Sequence, residues 1–168
     1  MGEMQDAVVR TRVQLEPRDI ERVYREDGPR LQRAVCLFTG DRDVADDAVA
    51  EAFAQALQRG EEIRDPLRWV WRVAFRVAAG AMKDRRRSIG PLDSMSERSY
   101  EQSELPLEFM AALAKLSPKQ RGAVILFHLG GYPTREVARI LGSTAPAVTV
   151  HLSVGRKRLR ELLEEHDD

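Results

Sequence analysis

The chain has 168 residues, of which 43% are hydrophobic, 32% are charged and only 6% are aromatic. This composition excludes a collagen-like chain, a fully disordered chain and an integral membrane protein. The 27 Lys and Arg residues balance the 27 Asp and Glu residues, so the net charge by itself gives no indication of a nucleic-acid ligand. The single cysteine, Cys36, excludes an internal disulfide framework and a cysteine-rich zinc site, and we expect a cytoplasmic protein without membrane insertion.

The neutral total conceals strongly charged segments. Residues 1–63 carry a net charge of −5, residues 64–87 carry +6, residues 88–106 carry −3 and residues 107–168 carry +2. Local fields govern association more than the total charge does. The segregation predicts faces for partners of opposite charge, while ordinary solvated helix faces remain the alternative.

Hydrophobic periodicity predicts an all-α fold. Helices are expected over residues 17–25 and 29–38, separated at Gly28-Pro29, and over residues 42–58 behind an Asp41 cap. Residues 59–62 have the composition of a loop. Further helices are expected over residues 66–86, 107–116, 118–129, 134–141 and 145–163.

The same pattern predicts two small helical domains. Residues 1–16 form an N-terminal tail, residues 17–88 a first domain and residues 107–168 a second domain that contains a helix-turn-helix. Residues 89–106 are rich in Ser, Glu, Gly and Pro and predict a flexible acidic linker.

Two of the predicted helices in the first domain carry segregated charge. The helix over residues 42–58 is amphipathic with an acidic outer side that includes Asp46, Asp47 and Glu51. The helix from residue 66 carries Arg68, Arg72, Arg76 and Lys83 within about 80° of one another. Trp69 borders this stripe and Arg85, Arg86 and Arg87 extend it, whereas Trp71 is expected in the core more than at a contact.

The stretch from Thr134 to Ser153 is the most specific local pattern. It places a small residue, Ala138, where two helices cross and Gly142 in the turn, followed by Val148 in the shared core. This spacing predicts a helix-turn-helix whose second helix enters a major groove. The alternative is a buried helical hairpin without DNA contact.

The outward face of that second helix is nearly uncharged. Thr149, His151 and Ser153 can form hydrogen bonds with bases, but no Arg is placed to bind guanine with two bonds, so direct readout is expected to be weak. Val150 and Val154 could pack on a thymine methyl or on a protein. Arg156, Lys157 and Arg158 follow and suit phosphate contacts.

Nothing in the chain indicates an enzyme. The three histidines are isolated, and no metal-ligand spacing, glycine-rich phosphate loop or catalytic pattern occurs, so we expect no metal and no cofactor. His128 and Cys36 are interpreted as core or near-core residues.

The whole arrangement resembles the bacterial extracytoplasmic-function sigma factors, from about residue 20 to residue 163. YREDGPRLQRAVCLFTGDRDVADDAVAEAF is similar to their first conserved domain, and DPLRWVWRVAFRVAAGAMKDRRR to its promoter-melting helix. LSPKQRGAVILFHLGGYPTREVARILGS with RKRLRELL is similar to their second domain. The resemblance implies sigma regions 2 and 4 in residues 17–88 and 107–168.

The resemblance also implies function and partners. The protein would bind core RNA polymerase through the clamp helices of the largest subunit and the flap, recognise and melt promoter DNA, and start transcription. It implies contacts of Asp46, Asp47 and Glu51 with the clamp. The stripe from Arg68 to Arg87 would meet the −10 element, and Thr134, Arg135, Thr149, His151, Ser153, Arg156, Lys157 and Arg158 would meet the −35 element. An anti-sigma factor or activator is a further implied partner, and a helix-turn-helix regulator acting without polymerase is the alternative function.

The chain departs from the family pattern at several of these positions. Ala50 stands where Gln is usual between the acidic residues, and Arg76 where Asn is usual in the melting helix. Thr149, His151 and Val154 occupy usual Lys or Arg positions of the recognition helix. These differences predict altered core binding and a greater dependence on the −10 element, DNA shape or a tethering partner.

Overall fold

The computed structural model describes residues 17–89 and 104–165. The predicted tail and the central part of the predicted linker, residues 90–103, lie outside this part of the chain. Within it the fold is all-helical, as predicted, with a single turn of 3₁₀-helix at Gly60–Glu62 where a loop was expected. The α-helices are α1 (Pro17–Thr39), α2 (Arg42–Arg59), α3 (Pro66–Ile89), α4 (Leu107–Ala114), α5 (Pro118–His128), α6 (Thr134–Leu141) and α7 (Ala145–Glu164).

Helix α1 continues through Pro29, so the predicted break at Gly28-Pro29 is wrong. Proline inside a helix removes one hydrogen bond and costs about 3 kcal/mol. Ile20, Leu31 and Phe38, however, recur on one side of the helix and are all buried, while Pro29 lies on the exposed opposite side. Burial of each large apolar side chain contributes about 1.5–3 kcal/mol, so packing on both sides of the proline offsets the lost bond.

Helices α1, α2 and α3 pack around one apolar core. Its largest members are Trp71 and Phe75, whose rings stack with centroids 6.0 Å apart, and Phe38, 5.1 Å from Phe75. Trp71 is 1% exposed, which confirms its interpretation as a core residue. The Asp41 carboxylate accepts hydrogen bonds from two amides at the start of α2, the cap that its position before the helix predicted.

We call α1 to α3 the first unit and α4 to α7 the second unit, after the two predicted domains, and their buried side chains belong to one apolar core. Ser117 and Gln120 form a reciprocal capping box at the start of α5, and Gly142 ends α6 in the left-handed conformation at φ 63°. Helices α6 and α7 make an angle of 98°, within the range of helix-turn-helix motifs. Val148 is buried as predicted, and Leu152 one turn further along α7 is buried with it.

The two units are in contact. Arg30 of α1 donates hydrogen bonds to the carbonyl oxygens of Leu129 (2.7 Å) and Gly130 (3.2 Å), and so satisfies acceptors at the end of α5 that have no partner within the helix. The Tyr132 ring lies 5.7 Å from that of Trp71. Burial, reinforced by Asp27 and Asp65, raises the pKa of Tyr132, so its phenol stays neutral in this contact.

Among the described residues no single helix is long and apolar enough to cross a bilayer. Helices α6 and α7 meet the length and composition criteria only when they are taken together as a bent pair.

Candidate nucleic-acid interface

The acidic side of α2 is exposed along its length. Asp46, Asp47 and Glu51 all face solvent, as does Ala50 between them. Asp46 accepts a hydrogen bond from Gln32 of α1 (2.9 Å), and Glu51 accepts one from the Gln55 side chain (2.7 Å). The carboxylates are therefore accessible to a cationic surface, as the sequence predicted.

The basic stripe of α3 is divided between solvent and protein contacts. Arg76, Lys83 and Arg87 are exposed. Arg68 is also exposed and pairs with Asp65 at 3.5 Å, the residue whose carboxylate caps α3 by accepting from the Arg68 amide. The side chain of Arg86, also part of the predicted stripe, lies outside the described residues.

Arg72 points away from this exposed set, toward the second unit. Its guanidinium lies 3.5 Å from the Glu136 carboxylate of α6, which also pairs with Arg139 at 2.9 Å. The Glu136 side chain is only 8% exposed. The Arg72 Nε atom is buried without a hydrogen-bond partner among the described residues. In this arrangement Arg72 lies at the contact between the units, and 36% of its side chain remains exposed.

Arg85 is also engaged within the protein, by Asp41 at the start of α2. Burial raises the pKa of the Asp41 carboxyl, but hydrogen bonds from Arg85 and from the amides of Val44 and Asp43, with the Arg85 charge, outweigh burial and leave the pKa below its ordinary value. Arg85 thus stabilises the α2 cap. Trp69 is half-buried and packs against the core, leaving only part of its ring at the surface.

The predicted residues of the helix-turn-helix lie mainly on one exposed surface. Thr149 and Ser153 of α7 are exposed and His151 is half-buried, with Arg156, Lys157 and Arg158 exposed beyond them. Thr134 is half-buried and Arg135 is exposed at the start of α6. The Thr149 hydroxyl donates to the Ala145 carbonyl oxygen (3.1 Å), so its proton is engaged by a backbone acceptor of the same helix.

A basic cleft of about 390 Å³ lies between α5, α6 and α7. The guanidinium groups of Arg156 and Arg160 and the hydroxyls of Thr134 and Ser153 line it, and no carboxylate does. The Arg156 guanidinium lies 5.1 Å from the Phe127 ring centroid, a distance typical of a cation–π contact. Arginine side chains and hydroxyls of this kind bind phosphate oxygens.

His128 holds Arg156 in place. The Arg156 Nε–H donates to His128 Nε2 (3.0 Å), while burial and then the Arg156 charge lower the pKa of His128. The residue is exposed, so the prediction of a core or near-core role is wrong, whereas Cys36 does pack against the core. Glu136 was likewise missed as a partner of Arg72, because a contact across 64 residues leaves no periodic signal.

These features define the class of protein: an all-helical DNA-binding protein with a helix-turn-helix, a basic helix and an exposed acidic helix face. The sigma-70 region 4 family model matches residues 107–159, which include α4, α5, α6 and most of α7. This match covers the helix-turn-helix and all of the residues that line the basic cleft except Arg160.

Two curated relatives extend the similarity to the first unit. The chain is 29% identical over 155 residues to the RNA polymerase sigma factor SigL of Mycobacterium tuberculosis, covering 85% of this chain and 88% of the relative. It is 23% identical over 159 residues to SigE of Mycolicibacterium smegmatis, covering 87% of this chain and 62% of that relative. Both relatives carry the designation extracytoplasmic function (ECF).

A solved structure shows the same fold. The sigma factor RpoE of Bartonella quintana, in complex with the anti-sigma factor NepR, matches with a TM-score of 0.73 at 22% identity and covers 88% of this chain and 98% of that one. The region 4 match, the ECF relatives and the shared fold together support an ECF sigma factor. The resemblance stated from the motifs is confirmed.

Proposed function

We propose that this protein binds core RNA polymerase and directs promoter recognition, melting and initiation through the residues assigned below. The observation that carries the proposal is the order of three surfaces in one chain: an exposed acidic helix α2, a basic helix α3 and a helix-turn-helix that ends in cations. A regulator acting without polymerase would need only the last of these surfaces. The acidic side of α2 favours the polymerase-bound role.

Core binding is assigned to Asp46, Asp47 and Glu51 on α2, which would meet the clamp helices of the largest subunit. Their exposure leaves the carboxylates able to pair with a basic surface. Ala50 contributes no side-chain hydrogen bond at the centre of this face, so the charges carry the interaction. The second unit would contact the flap.

Contacts with the −10 element are assigned to the exposed part of the α3 stripe. Arg68, Arg76, Lys83 and Arg87 supply cations for phosphates, and the accessible part of the Trp69 ring can stack on an unpaired base, a contact worth about 1–3 kcal/mol. Arg72 and Arg85 are engaged by Glu136 and Asp41. They can join this surface only after those pairs open.

Contacts with the −35 element are assigned to the helix-turn-helix. Helix α7 would lie in the major groove, where Thr149, His151 and Ser153 face bases. Arg156, Lys157 and Arg158, with Arg135 at the start of α6, would hold the phosphates. The basic cleft supports this division, because its guanidinium groups lie next to the outward face of α7.

Regulation by a protein partner is also part of the proposal. Two similar solved structures are complexes: the sigma factor RpoE with the anti-sigma factor NepR, and CnrH with the cytosolic domain of CnrY. We propose that an anti-sigma factor or an activator controls this chain too. The proposed role is non-enzymatic and places the protein in the cytoplasm, where polymerase and DNA are found.

The test is reconstitution with purified core RNA polymerase. The protein is expected to co-purify with core enzyme and to give discrete run-off products from a library of genomic fragments. Core enzyme alone is the control. Absence of both core binding and run-off product would overturn the proposal, whereas DNA binding without core binding would support the regulator instead.

A further inference from the structure

The outward face of α7 presents two apolar side chains one helical turn apart. Val150 is 60% exposed and Val154 is 45% exposed. Val148 and Leu152 on the other side of the helix are buried in the core of the unit, so the fold itself does not cover the outward pair. Apolar surface of this kind is stabilised when a ligand removes it from water.

The polar side chains between Ala145 and Gly155 are those of Thr149, His151 and Ser153, and all three are uncharged or weakly basic. No Lys or Arg occurs between Ala145 and Gly155, and the Thr149 proton is donated to a carbonyl oxygen of the helix. Recognition of guanine usually requires a Lys or Arg that reaches its O6 and N7 acceptors. This face lacks that group, so its selectivity must come largely from apolar contact.

The charge around the valines indicates what covers them. Arg156, Lys157, Arg158 and Arg160 follow within two turns, and the basic cleft beside the face is lined by two of these guanidinium groups and by no carboxylate. His128 and Phe127 fix the guanidinium of Arg156. Two apolar side chains beside guanidinium groups that can bind phosphates complement DNA. A protein partner would instead need an apolar centre surrounded by strongly acidic residues.

We infer that Val150 and Val154 make this protein select thymine in the upstream promoter element through the thymine C5-methyl group. Thymine is the base that presents a methyl group in the major groove. The guanidinium groups of Arg156 and Arg160 bind the DNA phosphates and fix the basic end of α7 on the backbone. Val150 and Val154 then face the edges of the bases. The inference rests on the proposed function, because it requires α7 to enter the major groove.

The experiment replaces thymine by deoxyuridine, which differs only in lacking that methyl group. Promoters transcribed by the reconstituted holoenzyme are mapped, and each thymine of the upstream element is substituted in turn on either strand. Loss of a buried methyl group is expected to weaken holoenzyme binding about 4-fold, and loss of two about 15-fold. The Val150→Ala and Val154→Ala double variant is expected to bind thymine and deoxyuridine promoters equally.

Leu107→Ala is the matched control, because Leu107 is an apolar side chain that is 61% exposed on a different helix, α4. It should keep the full response to deoxyuridine. Equal binding of the wild-type holoenzyme to thymine and deoxyuridine promoters overturns the inference but leaves the proposed function standing. A double variant that loses promoter activity yet still discriminates deoxyuridine also overturns it and assigns the valines to a protein contact. Failure of the wild-type protein to bind core enzyme or any promoter overturns both.

Discussion

At the scale of single residues, the charged side chains fall into those that face solvent and those that the fold uses. Asp47 and Glu51 are exposed on α2, and so are Arg76 and Lys83 on α3. Arg72 and Arg85 are arginines on the same helix as the exposed Arg76. Each of them, however, pairs with a carboxylate of the protein, Arg72 with Glu136 and Arg85 with Asp41. Residue type alone therefore does not separate binding residues from structural ones.

Charge reversal on α2 tests the assigned polymerase contact. Asp47→Lys and Glu51→Lys are each expected to weaken core binding by 10-fold or more, since loss of a charge pair at an interface commonly costs about 2 kcal/mol or more. The measurement is the dissociation constant for fluorescently labelled protein and core enzyme. The control is Glu26→Lys, which makes the same charge change at an exposed position of α1. An equal loss of affinity for core enzyme in all three variants would contradict the assignment.

Asp41 tests the pair that occupies Arg85. Asp41→Asn keeps a capping oxygen but removes the charge, whereas Asp41→Ala removes both and should lower the free energy of unfolding by a further 0.5–2 kcal/mol, typically about 1 kcal/mol. Urea unfolding followed by circular dichroism at pH 7 measures the difference. A smaller loss for Asp41→Ala than for Asp41→Asn would be inconsistent with the cap.

The same pair has a defined pH dependence. Because the pKa of Asp41 is lowered in the folded state, its stabilisation is complete above the ordinary carboxyl pKa of about 3.9 and is lost as the pH falls through the folded-state value. Asp41→Asn should therefore flatten the stability profile below about pH 4. Unfolding curves collected between pH 2 and pH 7 decide this, and parallel profiles for wild type and variant would count against it.

At the scale of elements, local sequence signals determine most helix ends. Asp41, Asp65 and Ser117 act as caps by accepting amide hydrogen bonds, and Gly142 ends α6. These signals operate within one turn and are visible in the sequence. Pro29 is the exception, because the buried side chains that keep α1 continuous lie on both sides of it.

Two glycine substitutions with opposite expected signs test this reading of the elements. Gly142 has φ 63°, so Gly142→Ala should lower the free energy of unfolding by about 1–2 kcal/mol. Gly80 lies inside α3 with nothing within 4 Å of an added Cβ, so Gly80→Ala should raise it by about 1 kcal/mol. Thermal and urea unfolding measure both. Changes of the same sign would refute the conformational argument.

At the scale of the whole molecule, the docking of the two units constrains the function. Promoter elements named −10 and −35 are about 25 base pairs apart, or roughly 85 Å at 3.4 Å per base pair. A compact chain of this length has a radius of gyration of about 15 Å. Helices α3 and α6 are in contact through Arg72 and Glu136, so binding of both elements by one chain, as in the proposed function, would require the units to separate.

Arg72→Glu should promote that separation, because it places a second carboxylate against the nearly buried Glu136. The expected result is a larger radius of gyration by small-angle X-ray scattering, with helix content unchanged. Arg76→Glu introduces the same charge change one turn further along the same helix at an exposed position and should leave the radius unaltered. Superimposable scattering curves for the two variants would show that the Arg72–Glu136 pair does not contribute to docking.

Local patterns in the sequence predicted most of the helices, the helix-turn-helix and the segregation of charge, but they divided α1 wrongly at Pro29. Helical periodicity, caps and the turn glycine act between residues that are neighbours along the chain, and so do the acidic side of α2 and the row of cations on α3. The resemblance to the ECF sigma factors was recognised from the same motifs and from their order along the chain.

Only the tertiary structure decided which of these charges are available. Arg72 meets Glu136 across 64 residues and Arg85 meets Asp41 across 44, while His128 positions Arg156 across 28. None of these pairs has a periodic or compositional signal, because each depends on how separate helices pack. The physical reason is that helices form from local hydrogen bonds and burial patterns, whereas the partners of a charged side chain are chosen by contacts that exist only once the core has formed.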